Sequence, residues 1–243
     1  MRLLLDLEAK KKQVYPTDYH HKLQGFVYKH IEPFYRELHD KKGYKFFCFS
    51  NIFPIGDMEE GDRRKWIISS PDSAMIKWLK ENIPEEIHLG EMELFVREKR
   101  LIDINLGNRL RIATATPIII RIPEKNYDMY RIPAEERKRR YLYWRPKYSF
   151  EAFVKQLTEN LIKKYNDFYK VKVEEELLFE VFHFKKMVNF RLNIKGRSYG
   201  LTGSMWEFYW SRLNDFQKRI LKIGIDAGFG ERNTFGFGFV NKV

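Results

Sequence analysis

Histidine occurs at six positions, His20, His21, His30, His39, His88 and His183. No two of them have the His-x-x-x-His or His-Glu-x-x-His spacing that presents two imidazoles to one metal ion. No carboxylate cluster completes a ligand set, and a single cysteine, Cys48, excludes a cysteine-cluster metal site and an internal disulfide framework. The apolar neighbours Phe46, Phe47 and Phe49 mark Cys48 as a buried thiol. The Gly-x-Ser-x-Gly elbow of many serine hydrolases is absent. Acid–base chemistry without a metal would need other parts, and tyrosine, histidine and lysine can supply them.

A second stretch stands out near the C-terminus. Five of the fourteen glycines fall between Gly224 and Gly238. Four of them form two Gly-Phe-Gly pairs, Gly228-Phe229-Gly230 and Gly236-Phe237-Gly238, separated by Glu231-Arg232-Asn233-Thr234-Phe235. Phosphate loops use glycine to turn backbone N–H groups toward an anion. Here an amphipathic helix (Trp206, Tyr209, Leu213, Ile220, Ile223) is expected before the loop and a short strand ending at Val240 after it. That order is the reverse of a nucleotide-binding loop, and there is no Gly-Lys-Ser/Thr tail and no Gly-x-Gly-x-x-Gly spacing. The chemistry of the stretch alone fits a bulged, glycine-rich turn as well as a ligand loop.

The elements that must hold these residues follow from apolar periodicity. Arg2 to Leu7 reads as a strand. Leu23, Phe26, Val27, His30 and Ile31 recur at helical spacing behind a Thr17 or Asp18 cap, and a continuation from Pro33 reaches about Asp40. Tyr44–Ile52 and Arg64–Ser70 read as strands, a helix through Met75, Trp78 and Leu79 stops before Pro84, and Glu91–Ile102 closes the unit. Strand, helix, strand, strand, helix, strand is the ferredoxin-like order. A second unit begins near Asn105: β-prone Leu110–Ile122 broken at Pro117, a helix over Ser149–Tyr169, strands over Leu177–Phe184 and Phe190–Ile194, a helix opened by Gly203-Ser204, then the loop and last strand. The expected fold is α+β: two tandem ferredoxin-like (βαββαβ, RRM-like) domains, 1–106 and 107–243, with a C-terminal glycine-rich loop.

The 243 residues carry 45 Lys and Arg against 33 Asp and Glu, a formal charge of +12, with 16% aromatic residues. A basic, aromatic-rich chain favours an anionic partner, nucleic acid first among them. Arg137-Lys138-Arg139-Arg140 runs into Tyr141, Tyr143, Trp144, Arg145, Lys147 and Tyr148, an interleaving that can pair phosphates and stack unpaired bases. Lys185, Lys186, Arg191, Lys195 and Arg197 form a second cluster, and strand alternation places Arg191, Lys195 and Arg197 on one face if they share a strand. No apolar run approaches the roughly 18 residues of a membrane helix, and the N-terminal run is too short for a signal peptide. A cytoplasmic protein is expected.

The motif Gly228-Phe229-Gly230-Glu231-Arg232-Asn233 through Gly236-Phe237-Gly238, behind a helix at the end of the chain, resembles the signature of the RAMP superfamily. Within it, the chain is most similar to the CRISPR repeat-processing endoribonucleases, the sixth Cas family. The resemblance implies cleavage of repeat RNA without metal or other cofactor. A base takes the ribose 2′-OH proton, an acid protonates the leaving 5′-oxygen and a cation steadies the phosphorane. Gly25-Phe26-Val27-Tyr28 resembles the segment with the family's catalytic tyrosine, Leu38-His39-Asp40 the segment with its histidine, and Gly43-Tyr44-Lys45-Phe46 the one with its lysine. Tyr28, His39 and Lys45 are thus the expected catalytic residues, the acid and base roles of Tyr28 and His39 being open. RNA contact is expected from Arg139, Arg140, Lys185, Lys186, Arg191, Lys195, Arg197, Gly228, Gly230, Arg232, Asn233, Gly236 and Gly238. The partner implied is CRISPR repeat RNA. Other effector subunits and a homodimer are compatible, and a non-catalytic RNA-binding subunit on the same fold is the alternative.

Overall fold

The computed structural model describes residues 1–16, 19–33, 43–138, 140–194 and 197–243, without the side chains at 193, 194 and 197. It is a mixed α/β fold with antiparallel sheets. The first sheet has the order β2-β3-β1-β5-β4, from β1 (Arg2–Ala9), β2 (Cys48–Phe49), β3 (Arg63–Ser69), β4 (Glu86–Leu89) and β5 (Met92–Ile102). Helices α1 (His20–Ile31) and α2 (Ser73–Asn82) share its core, where Leu3, Leu5, Leu7, Val27, Trp66, Leu79 and Leu94 are fully buried. Asp72 caps α2 by accepting from the Ala74 and Met75 amides at 2.9 and 3.2 Å.

The second sheet has the order β11-β6-β10-β9, from β6 (Leu110–Thr114), β9 (Val181–Ile194), β10 (Arg197–Trp210) and β11 (Val240–Lys242). If β4 is set aside, both sheets place their strands fourth, first, third, second. Helices α3 (Phe150–Tyr169) and α4 (Asp215–Ala227) close the second core over Ile112, Phe153, Leu157, Trp206, Phe208 and Ile220. A separate ribbon, β7 (Arg121–Pro123) with β8 (Tyr141–Tyr143), brackets the excursion between β6 and α3.

The two sheets are joined through buried polar groups. The Arg2 guanidinium donates to the Ile225 carbonyl (3.0 Å) and to Asn241 Oδ1 (2.7 Å), and lies 4.5 Å from the Phe239 ring centre. Ser69 Oγ donates to the Asp226 carbonyl at 2.6 Å. Cys48 is fully buried, as its neighbours imply, and burial pushes its thiol up to about 12. Among the described residues, no helix is long and apolar enough to cross a membrane.

Several expected elements differ. Leu177–Phe184 and Phe190–Ile194 are not two strands, since β9 runs unbroken from Val181 to Ile194. Gly203 and Ser204 lie inside β10 and open no helix. Trp206, Phe208 and Trp210 are buried alternately, a period of two that places Trp206 and Tyr209 on a strand. The last helix starts at Asp215, where Asn214 and Gln217 form a reciprocal capping box. Arg191 and Arg197 lie on different strands, so they cannot form one strand face with Lys195, which is outside the described residues. Between Tyr44 and Ile52 only Cys48–Phe49 pairs as a strand, and Leu110–Ile122 divides into β6 and β7. Residues 17–18, the expected cap of α1, and 34–42, its expected continuation, lie outside the described residues.

Candidate active site

Helix α1 carries two stripes that face different partners. Leu23, Phe26, Val27 and Ile31 enter the first core. His20, Gln24 and Tyr28, spaced four residues apart, meet the glycine loop of the second unit. His20 Nδ1 donates to the Phe235 carbonyl at 2.9 Å, and its ring stacks between Tyr19 and Phe237 at 4.7 and 5.2 Å. Burial holds its pKa below the ordinary range, so the ring is neutral, with Nδ1 as the donor. Gln24 Nε2 donates to Thr234 Oγ1 at 3.0 Å, and the Thr234 side chain in turn hydrogen-bonds Tyr28.

Lys45 completes this side. Its ammonium lies 5.4 Å from the centre of the Tyr28 ring, and Phe47 packs edge-on against the same ring at 5.3 Å. Burial raises the Tyr28 phenol to about 12, the Thr234 bond pulling the other way. The structure thus brings Tyr28 and Lys45 together, although seventeen positions of sequence separate them. His39 lies outside the described residues.

The glycine loop is a packed element. Phe229, Phe237 and Phe239 are fully buried, each contributing about 1.5–3 kcal/mol by burial. Gly230 has φ +70°, and a Cβ there would stand 2.6 Å from the Ile119 carbonyl oxygen, so this turn requires glycine. Gly228, Gly236 and Gly238 are buried beside it. Asn233 turns inward, donating from Nδ2 to the Phe229 and Phe237 carbonyls at 3.1 and 2.9 Å. Arg232 is exposed.

One buried lysine holds the loop from below. Lys164 of α3 donates to Gly228 O, Gly230 O and Asn233 Oδ1 at 2.6, 2.7 and 2.7 Å, three acceptors for the three N–H bonds of an ammonium. Burial lowers its pKa from 10.5 to about 7, with Cys48 and Glu231 opposing, and the Tyr44 ring lies 5.8 Å away. The unfolded chain therefore binds one more proton than the folded protein between about pH 7 and 10.5. The Lys164 contribution to stability then rises with pH across that window, by up to about 1.4 kcal/mol per pH unit, while the raised Cys48 thiol contributes in the opposite direction above about pH 9. Lys164→Met is expected to be destabilised and to lose this slope, as measured by urea unfolding of both proteins at pH 7.5 and 9, below the range where tyrosines titrate. Equal slopes would show that Lys164 keeps its proton throughout.

Above the loop lies a cleft of about 550 Å³ between the two units, lined by Tyr44, Lys45, Arg121, Lys163, Arg232 and Thr234 among others. Arg121 pairs with Glu231, and Lys163 with Glu159. The Arg121 guanidinium also lies 5.6 Å from the Tyr141 ring, at a second groove of about 1040 Å³. Arg140, Tyr141, Tyr143, Arg145, Phe190 and Arg191 face that groove, so Arg140 and Arg191, from separate clusters of the sequence, share one surface. Trp144 and Tyr148 of the same run are buried instead. Lys185 pairs with Glu207 at 2.9 Å, and Lys186 is exposed, opposite Met205 in the ladder. Arg139 and Lys195 lie outside the described residues, and Arg197 is described only as part of β10. Arg121, Lys164, Gln24 and Thr234 carry no signal of their own in the sequence. Arg121 and Lys164 meet the loop from distant segments, while Gln24 is four residues from Tyr28 and Thr234 lies within the glycine motif, without a residue type that marks either as functional.

Two antiparallel sheets of like strand order, joined along a buried glycine loop beneath a cleft lined by Lys45, Arg121, Lys163, Arg232 and Tyr44, define a mixed α/β protein. Residues 99–242 match the family described as CRISPR associated protein Cas6, C-terminal, and the chain belongs to this family. It is 32% identical to the CRISPR-associated endoribonuclease Cas6 of Haloferax mediterranei, over 100% of this chain and 94% of that one. It is 28% identical to CRISPR-associated endoribonuclease Cas6 2 of Methanocaldococcus jannaschii, over 100% of both. A solved structure of a CRISPR associated protein Cas6 superposes with a TM-score of 0.71 at 25% identity, covering 100% of this chain and 99% of the other. An RAMP protein binding different RNA substrates shares the fold, with a TM-score of 0.74 at 20% identity and the same coverage of 100% and 99%.

Proposed function

We propose that this protein is an endoribonuclease that cleaves CRISPR repeat RNA to release guide RNAs. The observation that carries the reading is the meeting of Tyr28 and Lys45 against the glycine loop, in a chain of this family. The 2′-oxygen attacks the adjacent phosphorus, the P–O5′ bond breaks, and the products carry a 2′,3′-cyclic phosphate and a 5′-hydroxyl. The 2′-OH proton passes to a base and the 5′-oxygen takes one from an acid, so protons balance. A phenol held near 12 keeps its proton at neutral pH, which supports Tyr28 as the proton-bearing partner and His39 as its counterpart. Lys45 steadies the phosphorane charge. Arg140 and Arg191 hold the strand in the second groove with Arg232 at the cleft, while the buried glycines and Asn233 shape the loop beneath.

The repeated strand order supports two ferredoxin-like domains, 1–106 and 107–243. Ile104 and Leu106 already pack on the second core, so the packing changes hands a few residues before that boundary. Incubation of labelled repeat RNA with excess EDTA tests the reading. Cleavage is expected to persist and to leave the ends named above. Tight binding without cleavage, with or without magnesium, would make the protein an RNA-binding subunit. Cleavage only with magnesium would end the metal-free mechanism.

A further inference from the structure

Tyr28 reaches the loop through a side chain that is itself held. Gln24 stands one helical turn before Tyr28 on the same stripe of α1, and its amide donates to Thr234 Oγ1 at 3.0 Å. An amide N–H can only donate, so the Thr234 oxygen accepts from Gln24 on one lone pair; its O–H stays available, and donation from it to the Tyr28 oxygen is the sense that opposes the burial-driven rise of the phenol. Thr234 is fixed from both sides by the loop. His20 Nδ1 holds the next carbonyl, at Phe235, and the Phe235 amide is bonded to Arg232 O at 3.0 Å. Gln24, Tyr28 and Thr234 are all half-buried, so water competes little for these bonds.

We propose that Gln24 and Thr234 form a positioning pair, which orients the Tyr28 hydroxyl across the seam between the two units. The pair touches no reacting atom. With the Tyr28 oxygen accepting from Thr234, the phenol's own proton is left for another acceptor. Gln24 matters because its bond fixes where the Thr234 oxygen stands. The proposal rests on the reading above, in which Tyr28 takes part in proton transfer. It also ties the loop to the reaction, since glycine packing sets where Thr234 stands, and Thr234 sets where the Tyr28 proton points. Misplacing a reacting group by a fraction of its hydrogen-bond length lowers rate with little effect on binding.

The test is single-turnover cleavage of repeat RNA by Thr234→Val, Thr234→Ser, Gln24→Ala, Tyr28→Phe and the double variant Tyr28→Phe/Thr234→Val, with RNA affinity and melting temperature measured alongside. Thr234→Val is isosteric and is expected to slow the bound reaction by up to about 10²-fold at near-normal affinity and melting temperature. Thr234→Ser keeps the hydroxyl and recovers most of the rate, and Gln24→Ala slows in the same direction as Thr234→Val. In the Tyr28→Phe background, Thr234→Val has no further effect, because the group it positions is gone. Equal slowing with and without the Tyr28 hydroxyl would overturn the pair, as would a Thr234→Val protein that cuts normally while Tyr28→Phe is slow. A Tyr28→Phe protein that cuts at the wild-type rate overturns the underlying role of Tyr28 itself, and the pair's part in the reaction with it.

Discussion

Gly238→Ala is expected to yield little or no folded protein. Gly238 has φ +72°, and an added Cβ would fall inside the van der Waals envelope of the Phe229 carbonyl oxygen, with Asn233 Nδ2 only 2.9 Å away. Neither neighbour can retreat cheaply. Gly238 O accepts from the Phe229 amide at 2.8 Å, the Gly238 amide donates to Pro117 O at 2.8 Å, and Asn233 is fixed by Lys164. The loss is expected to exceed about 4 kcal/mol, the range reserved for severe core lesions. A domain whose whole stability is about 5–15 kcal/mol has little to spare against that. Gly43→Ala is the control: φ there is +96°, yet among the described residues no atom lies within 4 Å of the added Cβ. It should cost only the backbone term of about 1–2 kcal/mol. Soluble yield and thermal melting followed by circular dichroism decide the matter, and a Gly238→Ala protein that melts beside Gly43→Ala would show that the loop is slack.

The same loop shows what the sequence can reveal and what it cannot. The paired glycines and their spacing are visible in one dimension, and so is the apolar stripe of α1, because Leu23, Phe26, Val27 and Ile31 obey the helical period. Gly203 misleads for a physical reason. It marks close packing, where a Cβ would stand 2.8 Å from both Ile119 Cδ1 and Pro117 Cβ, and it does not end a strand. Trp206 and Tyr209, three apart, imitate a helix, although the partners that settle the matter, Phe208 and Trp210, alternate with period two. The β4–β5 hairpin at Gly90 escapes a sequence reading because the four residues of β4 give a weak periodic signal. Lys164 is not legible at all: a lysine inside an amphipathic helix is ordinarily solvated, and its burial depends on carbonyls 64 and 66 residues away. Tyr28 and Lys45 are marked by family resemblance, yet what places them together is the packing of α1 against the segment that carries Lys45 and Phe47. That packing is a tertiary fact with no local trace.

Replacing the ribose just upstream of the cut with deoxyribose is expected to stop cleavage while leaving the complex nearly as tight. The proposed reaction draws its nucleophile from the RNA itself, so removing the 2′-hydroxyl removes an atom for which no side chain of the cleft can substitute. Lys45 and Arg232 would still face the phosphate, and Tyr28 would still carry its proton, so binding loses at most one hydrogen bond, about 0.5–1.5 kcal/mol. The protein side offers a graded comparison. His39→Ala, which removes a proton carrier and leaves the nucleophile in place, is expected to slow single-turnover cleavage by about 10²–10⁴-fold with affinity nearly unchanged. The deoxy substrate should fall below even that residual rate, in wild-type and His39→Ala protein alike, because neither can supply the missing oxygen. Rates measured with saturating protein, and affinities measured on the deoxy RNA, separate chemistry from binding. If the deoxy substrate is cut at the normal rate, the attacking oxygen comes from water, and the roles given to Tyr28, His39 and Lys45 around an internal nucleophile are wrong. If His39→Ala cuts normally while the deoxy RNA is inert, internal attack stands and another group is the base.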